Sequence, residues 1–539
     1  VLLGPFALST ALAAEGPPPA PPETRSEAKP SFDIWEYAVE GNSGLPATAI
    51  EKAVYPFLGE GRNIDAVELA RAALEKAYRD AGFATATVAI PEQPVASGVI
   101  RLEVMEGRID RVRVTGARYF AQGRILEQVP ALAEGAPARF PEVEKQLGEL
   151  NRTADRRVVP VLRPGRLPGT TEVELRVQDQ LPLHGGVEIN DRYGPSRAPD
   201  PSKLRTSFSL RYDNLWQREH SLSLSFLTAP EKPEDARVAS ISYALPLRSA
   251  DEVLAIYAVR SRSTSDLSAT LPDASVLGSG DIVGLRLSEP IRTVLGLSHS
   301  LTFGVDYKRY LEDLGVGGTG SFSTPLTYWL GSIQYSGARP DASGETALGA
   351  GLYFSLRGLR DNDEQFAQKR YLGQSNFAVL KWNAQRLQRL PADFQLTARL
   401  EGQFSSLPLP SSEQFAIGGA DSVRGYPEAT QVGDHGIRGM LELRSPRLAG
   451  GDNDIVKDLR LLSFIEAGHV RIQDPLPLSP TPDRFTLASL GLGLRLNVWR
   501  GFALSLDYGH RLKDGNTQDT HGSVAKGGGR LHFNASYQF

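Results

Sequence analysis

The chain has 539 residues, 41% of them apolar, with a mean hydropathy of −0.25 and a formal net charge of −4; that length exceeds one ordinary core and implies several domains. It contains no cysteine, which excludes disulfide staples, thiol catalysis and Cys-type zinc sites, and its slight acidity offers no basic surface for nucleic acid. Beyond the first segment no run approaches twenty apolar residues, so helical membrane spans are excluded, whereas strands with one apolar and one polar face are not.

Enzyme readings find little support. Only eight histidines occur, and none stands in a His-Glu-x-x-His or other ligand-spaced pair. There is no Gly-x-Ser-x-Gly elbow and no phosphate-cradling Gly-x-x-x-x-Gly-Lys. No catalytic, cofactor-binding or metal site is expected.

Val1 to Ala14 is apolar and small, and Ala11-Leu12-Ala13 before Ala14 fits the signal-peptidase rule. Residues 1–13 read as the remnant of an export signal; the run is too short for a membrane helix and contains Pro5. Residues 14–31 carry Pro17, Pro18, Pro19, Pro21, Pro22 and Pro30, which suits an extended, polyproline-like linker and excludes helix.

Phe32 to Gly41 reads as an alternating strand with Phe32, Ile34 and Ala38 on one side. Two helices are expected next, Ala47 to Leu58 and Ala66 to Ala81, the second with Leu69, Ala70, Ala73, Leu74 and Ala77 at helical spacing and a stop at Gly82. Strands Ala86 to Ile90 and Val99 to Val104 complete a β-α-α-β-β order. The same order recurs as strand Ile109 to Val114, helices Arg124 to Leu132 and Pro141 to Asp155, and strands Arg157 to Leu162 and Glu172 to Val177. Val39-Glu40-Gly41 aligns with Val114-Thr115-Gly116, about seventy-five residues on. Domains are therefore expected at 32–109 and 110–182. An open sheet edge in such a module can accept an extended chain as an added strand, with little demand on its sequence.

From Leu183 onward the pattern becomes alternation punctuated by turns. Ser221 to Phe226, Leu490 to Val498 and the terminal Leu531 to Phe539 show a period of two, one face apolar and the other small or polar. A soluble sandwich would turn the apolar face inward and a membrane barrel would turn it to lipid; alternation alone does not separate the two. About sixteen such runs can be counted over 183–539, and an even number of roughly ten-residue strands is what a bacterial outer-membrane barrel requires. A closed cylinder of that strand number has a lumen wide enough for water.

Between two of these runs lies Phe415-Ala416-Ile417-Gly418-Gly419-Ala420-Asp421-Ser422-Val423-Arg424-Gly425-Tyr426-Pro427-Glu428, part of a loop placed at 408–436. Its glycines and proline forbid a long helix or central strand and favour a tight, aimed turn. About forty residues later comes Phe464-Ile465-Glu466-Ala467-Gly468. Glu466 shares parity with Arg460, Phe464 and Gly468, which puts it on the polar side of its strand. On the preceding strand Arg438, Glu442 and Arg444 share one parity and Ile437, Leu441 and Leu443 the other, so these three charges are candidate lumenal groups around a pair formed by Arg424 and Glu466.

Val423-Arg424-Gly425-Tyr426 resembles the inward-folded loop motif of the outer-membrane translocator superfamily, which includes two-partner secretion transporters and barrel-assembly insertases. In that family the arginine reaches into the lumen to an acidic residue in a Phe-x-Asp-x-Gly pattern, here Phe464, Glu466 and Gly468 with glutamate in place of aspartate. The longer arm keeps a bidentate pair open with a shifted loop tip. The two repeats resemble POTRA domains, Leu162-Arg163-Pro164-Gly165 with Gly169-Thr170 matching the turn of the second. The terminal Phe539 resembles the signal that hands such barrels to the assembly machinery. The resemblance implies two POTRA domains followed by a 16-stranded antiparallel transmembrane β-barrel, with the POTRA domains in the periplasm and the barrel in the outer membrane.

As to function, the chain resembles the transporters of two-partner (type V) secretion, of the haemolysin-activator and filamentous-haemagglutinin type. It implies a monomer without cofactor whose client is an unfolded exoprotein, a β-helical adhesin, haemolysin or contact-dependent toxin, moved without ATP. Lipid and the barrel-assembly machinery are the other expected partners, and nucleic acid is not. Such transporters commonly place a plug helix after the signal peptide, a pattern from which the proline-rich linker departs. The alternatives are an insertase, whose relatives usually carry more than two POTRA units, and a passive porin, which has no reason for the repeat or the loop.

Overall fold

The computed structural model describes residues 30–539 except 96, 138, 168, 194–201, 248–251, 264–278, 316–320, 357–358, 360–362, 452–454, 478–481, 517 and 520–521. The expected signal remnant and all but the end of the linker lie outside the described residues. The chain divides into two compact units: one holds residues through 117 together with 125–178, the other 118–124 and 179–539.

In the first unit, Glu36–Glu40 pairs in parallel with Val99–Met105, which pairs antiparallel with Thr87–Ala89. Helices Ala47–Val54 and Ile64–Asp80 form the connection between the parallel strands. The second repeat has the same layout, with Arg108–Thr115 parallel to Thr170–Asp179, Arg156–Pro164 at the other edge, and helices Gln122–Glu127 and Phe140–Leu150 between. The alignment of the repeats has an atomic basis. Gly41 and Gly116 both adopt positive φ, at +79° and +85°, and a Cβ on either would stand 2.3 Å from a carbonyl oxygen of the sheet, that of Val104 or Val177. Only glycine fits both the angle and the gap.

Several boundaries differ from the sequence expectation, each for a local reason. The strand expected over 32–41 is broken at Trp35: Phe32–Ile34 pairs with an unforeseen strand, Gly59–Arg62, while Glu36–Glu40 joins the main sheet. The break shifts the alternation, so Ile34 and Tyr37 are buried and Ala38 only half-buried. On the long helix the buried stripe is Val67, Ala70, Leu74 and Tyr78, and Leu69 is exposed. Asn63 starts that helix by accepting from the Asp65 and Ala66 amides. The helix expected over 124–132 ends at Glu127 and gives way to a 3-10 turn at Pro130–Leu132, as a proline lacking its N–H demands. The helix expected over 141–155 stops at Leu150. The turn after Leu162 closes through Gly165 N–H to Thr170 O at 2.8 Å, with Gly169 at φ +74°.

In the second unit sixteen strands of described residues form a closed, antiparallel barrel, from Leu183–Asn190 (strand one) to Gly529–Gln538 (strand sixteen). Tight turns such as Leu295-Gly296 alternate with long connections such as 356–377 and 406–434. The burial pattern settles the ambiguity between sandwich and barrel. Leu441, Ile465 and Leu492 are 50%, 53% and 68% exposed, while Glu442 and Glu466, their neighbours one residue on, are 4% and 2% exposed. Apolar side chains face outward and carboxylates inward, the arrangement of a cylinder in lipid.

The cylinder closes where Asn534–Gln538 of strand sixteen pairs with Gly186–Asn190 of strand one. Phe539 extends this seam: its N–H donates to Gly185 O at 3.0 Å, and its carbonyl accepts from Gly185 N–H at 3.1 Å. Beyond Asn190 the Asp191 amide still donates to Phe533 O, at 3.4 Å, and the Asp191 side chain takes the remaining donors. Asp191 accepts from the Phe533 amide at 2.9 Å and from Arg530 Nε and Nη2 at 3.2 and 3.1 Å, with His532 Nδ1 at 3.3 Å.

Glu106, buried at the end of the Val99–Met105 strand, is the main polar tie inside the first repeat. It accepts from the amides of Ser43 and Gly44, both at 2.5 Å, from the Ser43 hydroxyl and from Tyr78 Oη at 3.3 Å. Burial pushes its carboxyl up, but these donors outweigh it and hold it below the usual carboxylate range. A carboxyl whose folded pKa is depressed stabilises fully above its unfolded value and loses that contribution as pH falls through the folded value. Glu106→Ala is therefore expected to cost about 1–3 kcal/mol of local stability. Hydrogen exchange at Ser43 and Gly44 on the full chain should be slow at neutral pH in the native protein, faster on acidification and pH-independent in the variant, beyond the intrinsic chemical rate.

Candidate functional site

Strands eleven (Gln395–Ser405) and twelve (His435–Arg444) are joined by a long connection that folds into the barrel. It contains a short hairpin, Phe415–Ile417 against Gln431–Gly433. Gly418, Gly419 and Gly425 take φ of +101°, +111° and +97°, angles an L side chain rarely adopts, and so turn the chain sharply. At the tip Arg424 is 3% exposed.

The guanidinium is surrounded by wall carboxylates. Arg424 Nε and Nη2 lie 2.8 and 2.6 Å from Glu466 Oε1, on strand thirteen (Val456–Arg471). The Arg424 backbone N–H donates to Glu466 Oε2 at 2.7 Å. Sequence reasoning left open a fork on two oxygens. Instead one oxygen takes both side-chain nitrogens and the other takes the main chain. Nη2 is also 3.0 Å from Glu442 Oε2 on strand twelve, and Nη1 is 3.4 Å from Asp507 Oδ1 on strand fifteen (Phe502–Arg511). Two further arginines hold the partners: Arg444 Nε donates to Glu442 Oε1 at 2.8 Å, and Arg495 on strand fourteen (Arg484–Val498) grips Asp507 at 2.8 and 2.9 Å. Three guanidiniums face three carboxylates, so the cluster carries no formal excess charge.

Shape does the rest. The Phe464 ring lies under the Arg424 guanidinium, 3.5 Å from ring centre to Cζ, a stacking that favours the cation in a dry site. Gly468 leaves room for the loop, since a Cβ there would stand 2.8 Å from Ile417 Cγ2 and 3.3 Å from Val423 Cγ2. Gly491 leaves room for Phe464, whose Cζ would be 2.3 Å from an added Cβ. The Phe-x-Glu-x-Gly pattern thus provides a stacking plate, a charge and a gap on one face of one strand. Main chains also meet: a Cβ on Gly509 would stand 2.5 Å from Arg424 C, and one on Gly425 2.7 Å from Gly509 O.

The other motif residues are seated with Arg424. Val423 is fully buried against Ile417, Val470 and Leu487. Gly425 N–H donates to His532 Nε2 at 3.0 Å, leaving Nδ1 of that ring towards Asp191. Tyr426 Oη lies 2.7 Å from Lys513 O and 3.0 Å from Ala488 O. Of the candidate lumenal charges, Glu442 and Arg444 join the cluster. Arg438 does not; it pairs with Glu401 at 2.5 Å and lies over the Phe415 ring at the loop's base. The loop is tied besides by Arg192 to Asp421 at 2.5 Å and by Glu428 N–H to Tyr193 O at 3.1 Å.

Asp507, Arg495 and His532 were missed by sequence reasoning. Their inward phase was readable, since Asp507 stands between the outward Leu506 and Tyr508. Which inward residues meet a loop inserted from elsewhere in the chain is a matter of barrel registration that no single strand records.

Comparison with known proteins gives a family model for the haemolysin secretion/activation protein ShlB/FhaC/HecB, matching residues 169–496, and one for the ShlB-type POTRA domain, matching 32–107. The outer membrane transporter CdiB of Escherichia coli O6:K15:H31 (strain 536 / UPEC) is 27% identical over 173 residues, 32% of this chain and 29% of the relative. The match therefore spans less than a third of that relative's length. The hemolysin transporter protein ShlB of Serratia marcescens is 27% identical over 378 residues, 67% of this chain and 63% of its own. Among solved structures, CdiB from Escherichia coli has the same fold, with a TM-score of 0.61 at 20% identity, covering 96% of this chain and 93% of that one.

The contact between Gly509 and the loop tip yields a direct test. Gly509→Ala places a methyl within 2.5 Å of the Arg424 main chain, and the loop has to lift. As the chain has no cysteine, a single Ser422→Cys reports the event. Maleimide labelling is expected to be slow in the otherwise native chain and at least about tenfold faster with Gly509→Ala, the ratio for a shift of about 1.4 kcal/mol in loop opening. Equal labelling rates would show that the tip does not rest on this strand.

Proposed function

The chain belongs to the haemolysin secretion/activation ShlB/FhaC/HecB family of outer-membrane transporters, and on that footing we propose that it captures an unfolded exoprotein in the periplasm and passes it through its barrel. The barrel lies in the outer membrane and the POTRA region in the periplasm. In this reading residues 32–109 and 110–182 are two receiving domains. Their sheets end in edge strands, Glu36–Glu40 and Thr87–Ala89 in the first and Arg108–Thr115 and Arg156–Pro164 in the second; the start of Arg108–Thr115 is already covered by residues 135–137, and along the others an extended client can hydrogen-bond regardless of its sequence.

The observation that carries the reading is the loop held inside the cylinder by an arginine among three wall carboxylates. A conduit for a polypeptide has to be closed at rest and cleared in use. A neutral ion cluster on a loop serves both, because it is strong when assembled and can be dismantled without unfolding the wall. Arg424 is the movable charge, Glu466 and Glu442 its seats, Phe464 its stacking plate, and Val423, Gly425, Tyr426 and Gly468 set the depth of insertion. Arg444 steadies Glu442, and Arg438, paired with Glu401, braces the base of the loop at Phe415. Phe539 completes the seam and serves as the mark read by the assembly machinery. The chain works as a conduit and not a catalyst. Transport proceeds without ATP, drawn forward by the client's folding at the cell surface, where each β-helical coil buries area against the last.

Removing one partner of a buried charge pair costs roughly 3–5 kcal/mol, enough to repopulate loop positions in a barrel held by a complete strand ladder. Arg424→Ala is expected to lower secretion of a co-expressed exoprotein into the medium by tenfold or more, while the barrel still assembles and shows heat-modifiable migration on gels. Wild-type secretion by the variant would remove the proposed role of the loop. A chain whose loss leaves the medium unchanged but impairs assembly of other barrels would be an insertase instead.

A further inference from the structure

The arginine cluster holds only the tip of the loop. Ahead of it, the stretch from Leu409 to Glu413 is seated on a different part of the wall. Leu409 is fully buried in a cluster with Tyr310, Tyr328, Phe366 and Phe377. Glu413, on the 3-10 turn Ser411–Glu413, is 4% exposed. Its Oε1 accepts from Lys308 Nζ at 2.6 Å and from Tyr328 Oη at 2.5 Å. Lys308 lies on strand seven (Leu297–Gly315) and Tyr328 on strand eight (Ser321–Asp341). Gln403 Nε2 donates to the Glu413 carbonyl at 2.9 Å and fixes the turn that presents the carboxylate.

In the closed order of sixteen strands, strands seven and eight stand four to six places from strands twelve and thirteen, which carry Glu442 and Glu466, and seven or eight places from strand fifteen, which carries Asp507. The loop therefore leans on one part of the wall through Glu413 and on another through Arg424, with the ten residues 414–423 running between them. Freeing the arginine alone leaves the first leg fixed. We propose that Glu413, with Lys308 and Tyr328, is a second latch of the lumenal loop, a positioning residue whose release is needed, as well as that of Arg424, before the conduit clears. The polarity is reversed between the two: the arginine latch puts the cation on the loop and the anions on the wall, while the second puts the anion on the loop and the cation on the wall. A buried carboxylate fastened to a lysine and a phenol supplies the holding energy that an apolar leg alone would lack, and its charged hydrogen bonds are lost together when the leg moves.

This inference rests on the reading of the loop as a closing element, and the test separates the two. Purified full-length protein is inserted into planar lipid bilayers without client, and channel openings are recorded for the native chain, Arg424→Ala, Glu413→Gln, their double variant, Lys308→Met and the exchange Lys308→Glu with Glu413→Lys. Glu413→Gln and Lys308→Met are each expected to raise opening frequency on the order of tenfold, the loss typical of a hydrogen bond to a charged group. The exchange is expected to bring it back towards the native value, which a merely misfolded loop would not do. Openings at the native frequency in Glu413→Gln and Lys308→Met, with Arg424→Ala opening freely, overturn the second latch and leave the first. A raised frequency that the exchange fails to lower overturns the pairing. If the double variant Arg424→Ala with Glu413→Gln still leaves the channel at the native opening frequency, the loop is not the closing element and both readings fall.

Discussion

One guanidinium buried in the lumen of a barrel is the constraint from which the rest follows. Left alone there, a charge is costly to keep from water, and the structure answers by placing Glu466, Glu442 and Asp507 within reach from strands thirteen, twelve and fifteen. Those carboxylates in turn require Arg444 and Arg495. The cluster is balanced, and balance is what lets so many ionised groups share a small space. It also makes the arrangement conditional, since each charge is tolerated only while its partners are present.

Around this cluster the wall is carved by glycine. Gly468 admits the loop, Gly491 admits the Phe464 ring, and Gly509 lets two main chains touch. Glycines cost a strand some stability, and a barrel can carry them because its ladder is continuous around the ring and has no free edge. In the sequence they look like the small-residue face of an alternating strand. In the fold each is a cavity with a named occupant.

Much of the architecture was legible because strands have a fixed period. Leu441 against Glu442, or Leu492 against Gly491, states which side meets lipid as soon as the ring is known to close. The β-α-α-β-β order and the equivalence of Gly41 and Gly116 were readable for the same reason, as patterns within short stretches. What was not legible depends on meetings across long separations. Trp35 breaks a strand because Gly59–Arg62 competes for its first half, and the phase of the long helix is set by Tyr78 reaching Asn42 and Glu106, not by Leu69. The pairing of Arg424 with Glu466 was suggested by two motifs together; Asp507 and His532 belong to no motif and share their inward parity with many ordinary lining residues, while Glu413 sits on a 3-10 turn of the loop, where no strand period marks it.

The way Asp191 finishes the seam ties the wall to what it encloses. Past Asn190 the free border of the last strand is satisfied by Asp191, and His532 on that border faces the carboxylate with one nitrogen and the Gly425 amide with the other. The final rungs thus borrow atoms from a segment that comes from inside. Lifting the hairpin therefore strips that imidazole of its amide partner, so the seam that joins the ring and the hairpin that fills it share one side chain.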